Sequence, residues 1–187
     1  VTSGPLQISS HKSPHLDMLT VESGGILSVG SNQISSDTIY SYTGVTVADD
    51  GRLRLARPQG VFDNTNNPAL RKSGNMNYFL GANSIVEYNT NTYGFVSGIN
   101  VGVASLAQHK YGILEINHVG PSNTWVSPTY LPTFTNAVYV RTQLRITAGE
   151  FNLCDAPGNP GSAGRYVFIE NASPTAIVRT GGYIRSE

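Results

Sequence analysis

Residues 20 to 29 read TVESGGILSV, and residues 46 to 55 read TVADDGRLRL. The two stretches write the same phrase at one constant offset, and the matched pairs are Thr20 with Thr46, Val21 with Val47, Gly25 with Gly51, Leu27 with Leu53 and Val29 with Leu55. Apolar and polar residues alternate on both sides of a small-residue turn. Period-two alternation predicts strands that place Leu53 and Leu55 on one face, together with Val47, and Arg52 and Arg54 on the other.

Glycine in the middle of the phrase predicts a tight turn, because glycine adopts a backbone conformation with positive φ at no steric cost. The phrase returns as FLGANSIVEY at residues 79 to 88, where Val86 takes the place of Leu53. Looser copies are LRITAGEFNLCD at 144 to 155 and AIVRTGGYIRS at 176 to 186. Two further strand-like runs are YGILEIN at 111 to 117 and NAVYVRT at 136 to 142.

Each unit is a strand, a turn and a strand, which is too small to bury its own apolar face. Repeats of roughly 20 to 30 residues with this property are typical of solenoids, in which neighbouring coils cover one another. We therefore predict an all-β fold, a β-solenoid over residues 1–187 as a single segment. Two stretches rich in Pro, Gly and Asn, at about 57–75 and 118–135, are predicted to be loops inserted at coil corners.

Composition excludes several classes of partner. The 12 basic residues balance the 12 acidic ones, and only 13% of residues are charged, so we expect neither nucleic acid nor an anionic membrane surface as a partner. No apolar run approaches the roughly 20 residues that span a bilayer. The single Cys154 excludes an intrachain disulfide. Because the chain begins with Val1 and shows no signal peptide, we expect a mature product or a piece of a longer chain.

The stretch FLGANSIVEYNTNT, followed at some distance by YGILEIN, resembles the repeat of large surface proteins of the Bacteroidota. The resemblance covers about residues 17 to 117 well and about the last 50 residues loosely. It implies a right-handed parallel β-helix, and an adhesin or gliding-related protein that the type IX secretion system exports to the cell surface. The C-terminal sorting domain of exported members is not visible in this sequence, which fits a fragment of a longer chain.

Handedness is predicted from that resemblance and from the general preference for right-handed crossovers between parallel strands. The triplet Asp37-Thr38-Ile39 resembles the O-glycosylation acceptor of the same organisms, which implies a glycan on Thr38; an ordinary turn hydroxyl is the alternative. Because an open coil is an edge that invites aggregation, we expect flanking repeats of the same polypeptide, a cap or a surface or secretion partner.

The candidate ligand-binding residues lie in the second predicted loop, and they are Trp125, Tyr130 and Phe134. Aromatic rings on a proline-stiffened loop stack against a sugar or anchor a protein partner, since they bring much contact area at low entropic cost. The alternative is that they fold down as a lid over the side of the coil. We predict a structural or adhesive rod module that binds a glycan or protein and needs no cofactor.

A β-helical polysaccharide lyase or hydrolase is the alternative function, although we do not expect an enzyme. It would need carboxylates that converge across coils beside an arginine. The candidates are Asp49, Asp50, Asp63 and Asp155, with Arg52, Arg54 and Arg57 near the first pair. Among the four histidines, His11, His15, His109 and His118, the first two have the i, i+4 spacing that suits a metal site on a helix, but Pro14 and several serines favour a loop there, so we expect no metal site.

Overall fold

The computed structural model describes residues 6–7, 15–29, 39–56, 70–72, 77–91, 94–96, 110–121, 126–128, 138–153 and 167–186. Across these ranges the chain forms β-strands and one short 3₁₀ turn at Pro174–Ala176. All strand pairings in the described ranges are parallel. The prediction of an all-β fold is confirmed for the described ranges.

The strands of the described ranges are numbered here in chain order. The first eight are β1 Leu6–Gln7, β2 His15–Val21, β3 Ile26–Val29, β4 Ile39–Val47, β5 Arg52–Leu55, β6 Leu70–Lys72, β7 Asn77–Leu80 and β8 Ile85–Tyr88. The others are β9 Gly94–Val96, β10 Tyr111–Asn117, β11 Val126–Pro128, β12 Val138–Ala148, β13 Glu150–Asn152, β14 Val167–Ile169, β15 Ile177–Arg179 and β16 Tyr183–Arg185.

These strands belong to three parallel sheets. Sheet 1 has the order β1-β3-β5-β8-β10-β12-β14, and β15 also pairs with β12. Sheet 2 has the order β2-β4-β6, with β7 beside β4, and sheet 3 has the order β16-β13-β11-β9. The chain passes repeatedly from one sheet to another: β2 and β4 lie in sheet 2, whereas β3 and β5, which follow them in sequence, lie in sheet 1.

The repeat in the sequence matches the strand register of these sheets. Leu27 pairs with Leu53 across β3 and β5, and Leu53 pairs with Val86 across β5 and β8, which are the matches that the repeated phrase gives. In sheet 2, Val47 likewise lies between Val21 and Leu80. Residues that the sequence aligns therefore lie side by side on adjacent strands, and we call each such layer a rung.

One hydrogen bond across the turn of the repeated phrase is the same in three successive copies. In each copy an amide N–H donates to the carbonyl oxygen that precedes it across the turn, from Gly25 to Glu22 and from Gly51 to Ala48 at 2.9 Å, and from Ser84 to Gly81 at 3.2 Å. Positive φ, however, falls immediately before the repeated glycine, at Gly24 (70°) and Asp50 (61°).

The repeated glycine itself is required by close packing rather than by its φ angle. A Cβ atom at Gly51 would lie 2.9 Å from the carbonyl oxygen of Glu22 in the neighbouring rung, which is closer than real Cβ contacts. The expectation of a turn glycine with positive φ is confirmed at Gly24 and is wrong for the repeated position, Gly25 and Gly51. Adjacent rungs therefore approach closely at Gly51, whereas in the third copy Ser84 fills the same position and its hydroxyl donates to the carbonyl oxygen of Gly81 at 2.8 Å.

Inward-facing residues form continuous apolar columns through sheet 1. Leu53, Leu55, Val86, Leu114 and Ile116 are completely buried. Val47, in sheet 2, is completely buried too, so the predicted division between this face and the arginine face is confirmed. Since each buried aliphatic side chain contributes about 1.5–3 kcal/mol, these columns are the main source of stability.

The structure places short strands inside both stretches that the sequence predicted as loops. Strand β6 lies within 57–75, and β11 lies within 118–135, where it pairs with β9 and β13. Most of the other residues of the two stretches fall outside the described ranges, so the division into one segment with two loops stays a prediction. No helix in the described ranges is long and apolar enough to cross a bilayer.

Candidate functional site

The outward face of sheet 1 carries a group of charged side chains that we call the outer-face ion network: Arg52, Arg54, Glu87, Glu115 and Arg145. Strand register brings them together, because Arg54 pairs with Glu87, Glu87 with Glu115, and Glu115 with Arg145. The side chain of Glu87 is completely buried, whereas that of Arg52 is 22% exposed. The network is thus a covered carboxylate beneath partly exposed arginines.

Glu87 is the centre of this network. Its Oε2 accepts from Nη1 of Arg52 at 2.6 Å and from Nε of Arg54 at 2.9 Å. Its Oε1 accepts from Nδ2 of Asn117 at 2.8 Å and from Nδ2 of Asn89 at 3.2 Å. Both oxygens are therefore satisfied, as a buried carboxylate requires.

Glu115 extends the network by one rung. Its Oε2 lies 3.2 Å from Nη1 of Arg52, so one guanidinium nitrogen joins both glutamates. Its Oε1 accepts from the hydroxyl of Thr147 at 3.2 Å, and Nη1 of Arg145 lies 3.9 Å from Oε2. The network connects four consecutive strands of sheet 1, namely β5, β8, β10 and β12.

The electrostatics keep Glu87 ionised. Burial raises the pKa of its carboxyl group, but the hydrogen bonds from Asn117, Arg52 and Arg54 outweigh burial and hold the pKa below its ordinary value. For the Arg52 guanidinium, burial lowers the pKa, because burial disfavours the charged form. Hydrogen bonds and charge interactions with Glu87 and Glu115 outweigh burial, so the pKa of Arg52 lies above its ordinary value. A carboxylate that is covered, ionised and fully hydrogen-bonded is suited to holding rungs together, not to donating a proton to a substrate.

Sequence reasoning placed Arg52 and Arg54 on the outer face as solvated charges, and it overlooked their partners. The outward position is confirmed, but both arginines bind the buried Glu87. The signal was present in the repeat. The alignment that matches Leu53 with Val86 also matches Arg54 with Glu87, and opposite charges at directly paired positions attract across strands.

Of the carboxylates considered for an enzyme, only the first pair lies in the described ranges. Asp49 and Asp50 are exposed at the turn between β4 and β5. Oδ1 of Asp49 accepts from the backbone N–H of Asn83 at 2.9 Å, so Asp49 caps the same turn of the next rung. Asp63, Asp155 and Arg57 lie outside the described residues, and the convergence of the four carboxylates therefore stays a prediction.

Several other predicted residues also lie outside the described ranges: Trp125, Tyr130, Phe134, Thr38, Cys154, His11 and His109. His15 belongs to β2, and His118 is 3% exposed beside the turn after β10. The described residues contain no group of three or more His, Cys, Asp or Glu side chains that could hold a metal ion.

A second polar cluster lies on sheet 3, between β13 and β16. The hydroxyl of Tyr183 donates to Oε2 of Glu150 at 2.6 Å, and this hydrogen bond raises the pKa of Tyr183 above its ordinary value. Glu150 is 6% exposed, and no group in the described part of the chain donates a hydrogen bond to its Oε1. Nη1 of Arg185 lies 3.9 Å from that oxygen, which is an ion pair beyond hydrogen-bonding distance.

Comparisons with protein-family models, curated proteins and solved structures found no match to this chain. The interpretation of its function therefore depends on its own sequence, strand register, burial and charge.

Proposed function

We propose that this chain is a right-handed parallel β-helix segment of a secreted bacterial surface protein, which serves as a rod-like structural or adhesive module. The observation that carries the proposal is that the sequence repeat and the strand register are the same: residues that the repeat aligns, Leu27, Leu53 and Val86, lie side by side on adjacent strands. A chain that returns to the neighbouring position after each repeat winds into a stack of rungs.

Extension follows from that stack. Parallel strands lie about 4.8 Å apart, so the six steps between the seven strands of the main path of sheet 1 cover about 29 Å. Flanking repeats of the same polypeptide would lengthen the rod by the same interval per rung. Such a rod holds a loop or a tip away from the cell surface, where it meets a glycan or a protein.

Localisation and contacts are proposed from the sequence. The resemblance to Bacteroidota surface repeats supports export by the type IX secretion system and a place among adhesins or gliding-related proteins. Trp125, Tyr130 and Phe134 are the side chains that we propose for glycan or protein contact, and Thr38 is the proposed O-glycosylation site. A surface or secretion partner completes the assembly.

A crystal structure of the whole chain tests the rod, because a stack of about 29 Å is too short for scattering to distinguish it from a compact particle. We expect successive right-handed coils whose strands lie about 4.8 Å apart. The adhesive function is tested on a glycan array with the wild-type chain and with a variant that carries Trp125→Ala, Tyr130→Ala and Phe134→Ala. Binding that the triple variant loses supports the proposal, whereas a chain trace without continuous coils, or binding that the variant retains, contradicts it.

The enzymatic alternative is tested on the same material. The wild-type chain is incubated with acidic polysaccharides, and both new reducing ends and unsaturated uronates are measured. Turnover that Asp49→Asn abolishes would replace the structural proposal, because it would give the Asp49 carboxylate a role beyond its hydrogen bond to the turn of the next rung. We expect no turnover.

A further inference from the structure

The outer-face ion network shows solvent a basic surface, although the chain as a whole is neutral. Three arginines against two glutamates leave the network one net positive charge. The carboxylates are covered, since the side chain of Glu87 is completely buried and that of Glu115 is 9% exposed. The arginine side chains are 22% exposed at Arg52, 35% at Arg54 and 33% at Arg145. An approaching ligand therefore meets guanidinium groups first.

Two of these arginines keep donors that no described residue uses. Arg54 binds Glu87 through Nε, and its Nη1 and Nη2 donate to no acceptor among the described residues. Arg145 likewise uses Nε, on Gln143, while its Nη1 lies 3.9 Å from Oε2 of Glu115, beyond hydrogen-bonding distance. A guanidinium presents its N–H donors in a planar fork that matches a carboxylate, so both arginines can bind an anion without leaving the network.

Neutral hydrogen-bond acceptors lie beside these donors. Asn89 and Asn117 each donate a side-chain N–H to Oε1 of Glu87, and both asparagines are half-buried. Their side-chain carbonyl oxygens accept no hydrogen bond from a described residue, and both oxygens are open to solvent. A ligand hydroxyl can replace the water at such an oxygen and keep its hydrogen bond. The face thus presents two cationic donors and two neutral acceptors.

Strand register fixes the spacing of the two arginines. It connects Arg54 to Arg145 through the two glutamates, which places the arginines three strand steps apart in sheet 1. At about 4.8 Å a step, their backbones are roughly 14 Å apart along the stack. That distance is wider than one sugar ring or one carboxylate group. A single ligand that reaches both arginines is therefore a chain that carries negative charges at intervals.

We propose that the outer face of sheet 1 binds an acidic polysaccharide, which lies along the stack with carboxylates on Arg54 and Arg145 and hydroxyl groups on Asn89 and Asn117. This inference rests on the glycan-binding role of the proposed function, and it adds a surface apart from the aromatic loop. An acidic peptide would bring carboxylates alone in its side chains. A polymer of uronic acids brings carboxylates and hydroxyl donors on every unit, which suits paired cations and amide acceptors.

The covered glutamates prepare this face for binding. Glu87 holds Arg54 by a hydrogen bond at 2.9 Å, and Glu115 holds Arg145 by an ion pair. Arginine side chains that are already held lose less conformational freedom when a ligand binds. The same glutamates offset two of the three positive charges, so the face is weakly basic. We therefore expect modest affinity that falls as salt screens the remaining charge.

Isothermal titration calorimetry of the whole chain with oligogalacturonate tests the proposal. We expect binding at about 0.15 M salt that weakens at about 1 M salt, and no binding of neutral galactose oligomers. Arg145→Gln removes one charge-assisted contact, so the dissociation constant rises about tenfold, and Arg145→Lys recovers part of the affinity because it restores the charge. Arg185→Gln is the matched control, since the Arg185 side chain is 53% exposed and lies on sheet 3. Circular dichroism shows that each variant keeps its β-structure.

The outcomes separate this inference from the proposed function. Binding of the acidic oligomer that Arg145→Gln weakens and Arg185→Gln leaves unchanged supports the outer-face site. No binding, or binding that Arg145→Gln leaves unchanged, overturns the inference. If the triple variant of the aromatic loop abolishes that unchanged binding, the glycan contact of the proposed function is still supported. Polyglutamate that binds as tightly as oligogalacturonate assigns the face to acidic peptides and also overturns the inference.

Discussion

Replacing Glu87 by glutamine is the sharpest test of the outer-face ion network. Glutamine has the shape of glutamate and keeps one carbonyl acceptor, so it removes the negative charge without opening a cavity. Four donors converge on the two oxygens of Glu87, from Arg52, Arg54, Asn117 and Asn89. Where glutamate has its second oxygen, glutamine has an NH₂ group. Two of the four donors would then face this NH₂ group and lose their acceptor.

The magnitude follows from burial. Removing one partner of a buried ion pair costs about 3–5 kcal/mol, because the remaining charge is left uncompensated. The side chains of Arg52 and Arg54 are 22% and 35% exposed, so water recovers part of their solvation. We discount the cost for that exposure and expect Glu87→Gln to lower the free energy of unfolding by about 2–3 kcal/mol.

Equilibrium unfolding in urea, followed by circular dichroism, measures the loss. The matched control is Glu170→Gln, since Glu170 pairs with Lys110 but its side chain is 43% exposed. An exposed pair contributes about 0–1 kcal/mol, so the control stays near wild type. If Glu87→Gln costs less than about 1 kcal/mol, or no more than the control, the network does not hold the rungs together and our reasoning about buried charge is refuted.

Three further predictions concern pH, the turn and the sheet 3 cluster. The pKa of Glu87 is lower in the folded state than in the unfolded state, so its contribution to stability is present above the unfolded-state pKa and is lost as pH falls through the folded-state pKa. Urea unfolding at a series of decreasing acidic pH values should therefore show that the free energy of unfolding falls more steeply in wild type than in Glu87→Gln. Gly112→Ala should lower the melting temperature strongly, because its Cβ would collide with the carbonyl oxygen of Gly81 and lie 2.7 Å from the carbonyl oxygen of Ala82. Gly24→Ala is the control: its Cβ meets nothing within 4 Å, so it should cost only about 1–2 kcal/mol of stability from the positive φ. Equal losses in the two variants would contradict the packing argument. NMR titration of labelled tyrosines should show Tyr183 ionising above its ordinary pKa of 10.0 and returning toward it in Glu150→Gln; an unchanged titration in the variant would contradict the hydrogen bond as the cause.

Much of the architecture could be predicted because stacking imposes one register on every rung. The offset of the repeated phrase aligns Leu27 with Leu53, and these two residues pair on adjacent strands. The alternation of apolar and polar residues correctly assigned Leu53 to the core and Arg54 to the outer face. Strand ends were less predictable. Residues 136 to 142 and 144 to 155 read as separate units, yet β12 runs without interruption through Val138–Ala148, because Thr142 and Gln143 are polar without forming a turn.

The site was harder to predict than the fold. The long side chain of Arg52 crosses an intervening strand to reach Glu115, which is 63 residues away in sequence. Such a contact does not recur at a regular spacing, so no sequence pattern indicates it. The positive φ at Asp50 was missed for a similar reason. Several small or polar residues in a row form the turn, and composition does not say which of them takes the left-handed conformation.

The stacking of rungs also determines how the molecule would respond to a pulling force. In the proposed rod, force applied along the stack would load the hydrogen bonds between neighbouring strands one rung at a time, so the rod would unzip in steps and not shear as a whole. Each released rung adds the contour length of one repeat, on the order of 100 Å for a fully extended chain. The arginine and glutamate side chains that cross from strand to strand join the rungs that contain β5, β8, β10 and β12, so these rungs would be the last to separate under force. A tether built in this way would lengthen under load while its central segment stays folded.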